Sequence, residues 1–227
     1  MTQVRQICRW HLLSDAAALE QTIAAEILRA ANHAITQRGA FHVALSGGNT
    51  PRRIHEAIRT GATDWSRWHV WFGDERCLPP DDPERNSRMA ADTLLDHVGI
   101  PPGQCHPIRA ELGATVAAAD YVQQLRGIGE FDLMLLGLGE DGHTASLFPG
   151  HDWGVGADAP DALAVFDSPK PPPERVSLSA RRLAKARQVI YMVSGAGKRQ
   201  ALADWQAGKS IPASAVAPAG GVDVYVA

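Results

Sequence analysis

"FHVALSGGNTPRRIHEAIRT" runs from Phe41 to Thr60. Phe41 to Leu45 is a short stretch rich in β-formers, and it turns abruptly into Ser46, Gly47, Gly48, Asn49 and Thr50. Pro51 follows at the position where a helix tolerates proline best, its first turn. A strand that passes through two glycines straight into a helix is half of a βαβ unit. The rest of the chain decides whether the alternation of strand and helix continues.

It does. Upstream, "SDAAALEQTIAAEILRAANHAITQRG" places Leu19, Ile23, Ile27, Ala31 and Ile35 four apart, with Ser14 or Asp15 as N-cap and Gly39 as stop. Downstream, "WHVWFGDE" from Trp68, "FDLMLLGLG" from Phe131, "RVSLS" at 175–179, "QVIYMVSG" at 188–195 and "VDVYVA" at 222–227 read as strands. Helical patterns "NSRMAADTLLDHV", "TVAAADYVQQLRGI" and "GKRQALADWQAG" lie between them. The alternation predicts an α/β fold in three layers, a mostly parallel sheet with helices on both faces. No repeat or composition break divides the chain, so one domain over 1–227 is expected. "SPKPPPE" at 168–174 reads as a stiff connector.

Composition excludes several classes. The chain has 227 residues, 45% hydrophobic and 21% charged, with net charge −3. A nucleic-acid surface would need a basic excess. Cys8, Cys77 and Cys105 cannot close a disulfide framework and show no CxxC spacing. No apolar run approaches the roughly 18 residues of a membrane span, and no leader-like segment opens the chain. A reduced, cytoplasmic protein without membrane or nucleic-acid partner is expected. Oligomeric state stays open between monomer and homodimer.

In such sheets ligands sit beyond the carboxyl ends of the strands. The turn Ser46–Thr50 offers backbone N–H groups, hydroxyls and a helix N-terminus, as a phosphate cradle does; a plain turn capped by Thr50 is the competing reading. "FGDERCLPP" puts Asp74, Glu75 and Arg76 directly after an apolar strand, with Asn86 and Arg88 downstream. "GLGEDGHTASLFPG", Gly137 to Gly150, holds Asp141 beside His143, a carboxylate that can fix the tautomer of a general base. Leu147, Phe148 and Pro149 would form a dry wall. Arg175 and Lys198 are natural phosphate partners. No metal-ligand spacing and no dinucleotide fingerprint appear, so neither metal nor cofactor is expected.

"LSGGNTP", "WFGDERCLPP", "LGLGEDGHTASLFPG", "RVSLS" and "VSGAGKRQAL" occur in the order seen in 6-phosphogluconolactonases, and the chain resembles that family over essentially its whole length. The resemblance implies the sugar-phosphate isomerase/deaminase fold and hydrolysis of 6-phospho-D-glucono-1,5-lactone without a metal. It implies Ser46, Gly47, Gly48, Asn49, Thr50, Arg175 and Lys198 at the phosphate, and His143, Asp141, Asp74 and Arg76 at the reacting end. Asn49 replaces a usual serine, and Glu84 and Arg85 replace a usual aspartate and serine. Glucosamine-6-phosphate deaminases share the Asp-Gly-His core, but carry a glutamate where this chain has Phe148. A non-catalytic sugar-phosphate sensor is the third reading, and such a module would have lost the base.

Overall fold

The computed structural model describes residues 6–227; the first five residues of the expected domain lie outside them. The elements in chain order are β1 (Cys8–Leu12), α1 (Ala16–Arg38), β2 (Phe41–Leu45), α2 (Asn49–Ile58), β3 (Trp68–Phe72), β4 (Asp74–Arg76), α3 (Asn86–Thr93), α4 (Ala114–Gln124) and β5 (Phe131–Gly137). They continue with β6 (Ala162–Val165), β7 (Arg175–Leu178), α5 (Ala180–Leu183), β8 (Ala186–Val193), α6 (Arg199–Gln206), α7 (Pro212–Ala215) and β9 (Val222–Val226).

A six-stranded sheet, ordered β1-β9-β8-β5-β2-β3, is parallel throughout. Helices cover both its faces, as the alternation predicts. Asp15 accepts from the Ala18 N–H and caps α1, and Gly39 ends it at φ 79°. Leu19, Ile23, Ile27, Ala31 and Ala34 are its buried stripe. Trp68 and Trp71 are buried side chains of β3, each contributing about 2–3 kcal/mol of apolar burial. The chain builds outward from β2 to β3 and then crosses to β5 on the other side of β2. The crevice between the carboxyl ends of β2 and β5 is therefore the switch point where a ligand is expected.

Two sequence readings need correction. "WHVWFGDE" is two strands, not one. Gly73 breaks it, donating its N–H to Leu45 O at 2.9 Å while its carbonyl accepts from Leu178 N–H at 2.8 Å. Tyr121 of α4 pins the break, since its hydroxyl accepts from Phe72 N–H and donates to Phe72 O. "RVSLS" does not join the parallel sheet. It is the middle strand of a second, antiparallel sheet, β4-β7-β6, with Arg76 opposite Arg175 and Asp74 opposite Ser177. Arg175 thus opens its strand, and antiparallel pairing carries it to the same end as Arg76. The edge strands β1 and β6 escaped the sequence reading. β6 is four residues long, and β1 leaves Leu12 exposed at its end, so neither shows the buried-strand pattern.

Candidate active site

The turn after β2 is shaped by contact. Gly48 has φ 116°, a conformation only glycine adopts freely. A Cβ on Gly47 would stand 1.8 Å from Asn86 Oδ1. α2 starts at Asn49 with no side-chain cap, so Thr50 does not cap it. Ser46 Oγ is buried without a hydrogen-bond partner among the described residues. Uncapped first-turn N–H groups and an orphan buried hydroxyl are what a multi-acceptor oxyanion would satisfy.

Asn86 ties this turn to Asp74. Its Nδ2 donates to Asp74 O at 2.9 Å and to Asp74 Oδ1 at 3.1 Å. Ser146 Oγ donates to the other oxygen, Oδ2, at 2.6 Å. Both oxygens of this buried carboxylate are thus already engaged. Glu75, fully buried, accepts from the N–H groups of Arg76, Asn86 and Ser87 at 2.7–2.9 Å and so holds the start of α3. Arg85 lies 3.3 Å from Glu75 and pairs with Glu111 at 2.7 Å.

His143 follows β5. Its Nδ1 is 2.5 Å from Asp141 Oδ1, which also accepts the His143 N–H at 3.1 Å. A carboxylate can only accept, so Nδ1 carries the proton and Nε2 keeps its lone pair. Gly139 must be glycine here, because a Cβ would stand 1.9 Å from His143 Nδ1. Phe148 lies 4.9 Å from the imidazole, ring to ring, and Leu147 behind it is buried; Pro149 is exposed and leaves the wall. Burial pulls the His143 pKa below the ordinary imidazole value, only partly offset by Asp141. Burial alone would raise Asp141, but the two hydrogen bonds from His143 outweigh it and hold Asp141 below the usual carboxylate range.

The cations are placed less uniformly than the sequence suggested. Lys198 is half-buried in a turn before α6, beyond the end of β8 and beside Gly195 at φ 104°. Glu140 packs against this turn, as a Cβ on Gly197 would come 2.6 Å from its Oε1. Arg175 is buried and donates to backbone carbonyls of Lys170, Pro171 and Pro172 at 3.0–3.2 Å. Arg76 turns its Nη1 to Glu84, both carbonyl and carboxylate. Arg88 pairs with Asp92 one helical turn on and lines a separate cavity of about 290 Å³ with Phe72, Leu95 and Ile108. It is not part of the cleft.

Residues 14–225 match the family described as glucosamine-6-phosphate isomerases/6-phosphogluconolactonase. The chain belongs to this family. A 6-phosphogluconolactonase of Mycobacterium leprae is 35% identical over 225 residues, covering 93% of this chain and 90% of that one. A probable chloroplastic 6-phosphogluconolactonase of rice is 38% identical over 201 residues; the match takes 81% of this chain but only 61% of the relative. The crystal structure of a 6-phosphogluconolactonase from Thermotoga maritima superposes with TM-score 0.88 at 27% identity, over 97% of this chain and 99% of that one.

Within the family pattern, the departures at Glu84 and Arg85 acquire a physical account. Glu84 engages Arg76, and Arg85 neutralises the buried Glu75 while bonding Ile108 O at 2.6 Å. Ser146 and Ser177 were missed as site residues. Ser146 N–H donates to Ser177 Oγ at 3.2 Å, which orients Ser146 towards Asp74. The signal was faint, since a serine after His-Thr-Ala and one inside "RVSLS" look like ordinary strand and turn residues. No group of three or more His, Cys, Asp or Glu able to hold a metal ion occurs among the described residues, and no helix there is long and apolar enough to cross a membrane.

Proposed function

We propose that the protein hydrolyses 6-phospho-D-glucono-1,5-lactone to 6-phospho-D-gluconate, the second step of the oxidative pentose phosphate pathway. The observation that carries this is the bare Nε2 of His143, held by Asp141 against an apolar Phe148 wall. A δ-lactone is an activated ester; it needs a positioned water, a base and stabilisation of the developing oxyanion. Nε2 takes a proton from water as its oxygen bonds to C1. The tetrahedral oxyanion collapses, the C1–ring-oxygen bond breaks, and the ring oxygen leaves with the proton His143 carried. The product acid then ionises. Nothing in this sequence consumes a metal or cofactor.

The phosphate is the anchor, not the reacting group. Ser46, Gly47, Gly48, Asn49 and Thr50 supply the cradle, and Lys198 supplies charge from the far side of the β5 loop. Binding energy gained there holds C1 over His143. Arg175, spent on carbonyls, acts at the site mainly by position. Asp74, with both oxygens engaged, orients the cleft and is a poorer candidate for the base than His143. All these groups come from one domain of one chain, so a monomer and a homodimer would each present a complete cleft. Three unpaired thiols fit a reducing compartment such as the cytoplasm.

Phe148 argues against deaminase chemistry, because ring opening of an amino sugar lacks its acid at that position. The deciding assay offers the purified protein 6-phosphogluconolactone and glucosamine 6-phosphate. Lactone loss well above spontaneous hydrolysis, with no ammonia from the amino sugar, is expected. Ammonia release would move the chain to the deaminase branch, and binding of both without turnover would make it a sensor.

A further inference from the structure

Ser146 joins the His143 segment to the second sheet. Its Oγ donates to Asp74 Oδ2 at 2.6 Å, and its N–H donates to Ser177 Oγ at 3.2 Å. Asp74 and Ser177 stand opposite each other on β4 and β7, so one serine grips both members of a cross-strand pair. Ser177 can accept because its own proton goes to Leu178 O at 3.0 Å. Ser146, Asp74 and Ser177 are all buried, where a hydrogen bond to a carboxylate is strong.

The backbone between His143 and Ser146 is strained. Leu147 N–H donates to Thr144 O at 2.9 Å and closes a tight turn, and inside it Ala145 stands at φ 47°. A residue with a Cβ keeps that left-handed conformation only where its surroundings hold it. On the β5 side the segment is tied by Gly139 N–H to His143 O at 2.7 Å and by Thr144 Oγ1 to Gly137 O at 2.9 Å. On the side of the second sheet it is tied by Ser146. The other oxygen of Asp74 accepts from Asn86, whose side chain lies so close to Gly47 that a Cβ there would stand 1.8 Å from Asn86 Oδ1. Gly47, Asn86, Asp74 and Ser146 thus form one packed series, running from the Ser46–Thr50 turn to the turn after His143.

We propose that Ser146 is a positioning residue, which fixes the His143 imidazole at a set distance from the Ser46–Thr50 turn. The inference rests on the lactonase reading above. A substrate anchored by its phosphate cannot follow a base that moves, so the gap between anchor and base decides whether Nε2 meets the water over C1. Asp74 spans that gap, with one oxygen held from the glycine turn and the other from the His143 turn. Without the Ser146 hydroxyl, Ala145 relaxes and the backbone at His143 rotates. The ring then leaves the contact in which Asp141 Oδ1 meets both its Nδ1 and its N–H. Ser146 does not touch the reacting atoms; it acts through the turn.

The test compares wild type with Ser146→Ala and with Ser177→Ala, which removes the acceptor of the Ser146 N–H and leaves Ser146 Oγ on Asp74. Ser146→Ala should lower kcat about 10- to 100-fold, the effect of a base displaced by about an ångström, while KM and the affinity for 6-phosphogluconate change less than about threefold. Ser177→Ala should lower kcat about 3- to 10-fold in the same way. Proton–nitrogen NMR spectra of the labelled proteins at neutral pH read the ring itself. Wild type should show His143 protonated on Nδ1, and Ser146→Ala a mixture of the two tautomers. Wild-type kcat in either variant overturns the proposal, and Ser177→Ala decides alone if Ser146→Ala does not fold. A fall in kcat with His143 still held on Nδ1 overturns it too, and would give Asp74 a direct part in the chemistry. A wild-type protein that does not turn over the lactone rejects the lactonase reading; the spectra still report whether Ser146 sets the ring, so the two failures are told apart.

Discussion

His143 Nδ1 lies 2.5 Å from Asp141 Oδ1, and this contact decides which ring nitrogen faces the cleft. With the proton held on Nδ1, the base we propose is Nε2, and it works only while the ring is neutral. Burial keeps the pKa below the ordinary value, so the acid limb of kcat should fall below about pH 6.5. His143→Asn should lower kcat by about 10²–10⁴ with 6-phosphogluconate binding largely kept. Near wild-type turnover by the folded variant, after subtraction of spontaneous hydrolysis, would place the base elsewhere.

Gly139→Ala tests the same geometry without touching a charged group. Its Cβ would stand 1.9 Å from His143 Nδ1, so the imidazole must leave Asp141. Gly139 does not have positive φ, so the backbone itself tolerates alanine. We expect most of the His143→Asn loss in kcat with a melting temperature within a few degrees of wild type. Full activity would show that the ring position is not needed.

How much of this was legible in the sequence follows from what each residue depends on. β2, α2 and the glycines between them were readable, because strand, turn and helix are local patterns and Gly48 needs its φ for local reasons. The pairing of Asp141 with His143 is also local, two residues apart. The Asp74 environment was not. Ser146 reaches it across 72 residues and Asn86 across 12, and both depend on β4 leaving the parallel sheet at Gly73. Arg175 was placed at the phosphate by type alone, and its carbonyl partners appear only once the connector has folded.

The proposed phosphate cradle makes a binding prediction. Lys198→Ala should weaken 6-phosphogluconate by roughly 1–3 kcal/mol, the range for a lost charge-assisted hydrogen bond. Gly47→Ala should weaken it too, since its Cβ would collide with Asn86 Oδ1 and open the turn. Calorimetric titration checks both. Unchanged affinity in Lys198→Ala removes that residue from the site.

Glu75 and Arg85 make a stability prediction. Glu75→Gln keeps an acceptor but puts an NH2 group where one oxygen met Ser87 N–H and Arg85. It also leaves Arg85 buried with only Glu111 as carboxylate partner. Breaking a buried pair typically costs about 3–5 kcal/mol, and Glu111 should keep this one near the lower end. Urea unfolding measures it. A cost under about 1 kcal/mol would mean that water or relaxation satisfies Arg85.

The last prediction concerns acid and the helix behind the Ser46–Gly48 turn. His55 of α2 is 1% exposed. Its Nδ1 is 3.1 Å from Thr93 Oγ1, whose own hydroxyl donates to Met89 O at 2.6 Å. The ring must therefore donate from Nδ1, and its buried Nε2 has no partner among the described residues. Protonation would put a charge on Nε2 with nothing to accept it. Burial first, then Arg52 and Arg59, hold this pKa down to about 4. The unfolded chain has His55 near 6.5, so between pH 6.5 and about 4 the unfolded state binds a proton that the folded state does not. Stability is full above pH 6.5 and falls as pH drops through that window, by roughly 3 kcal/mol in total from this group. His106 is also held at about 4 by burial and by His69 and His42, but it is part-exposed and should add less. His55→Asn can keep the hydrogen bond to Thr93 without titrating. Its unfolding free energy, measured in urea at pH 7 and pH 4.5, should differ between the two by roughly 2–3 kcal/mol less than in wild type. If wild type and His55→Asn lose stability equally over that interval, another group carries the acid sensitivity.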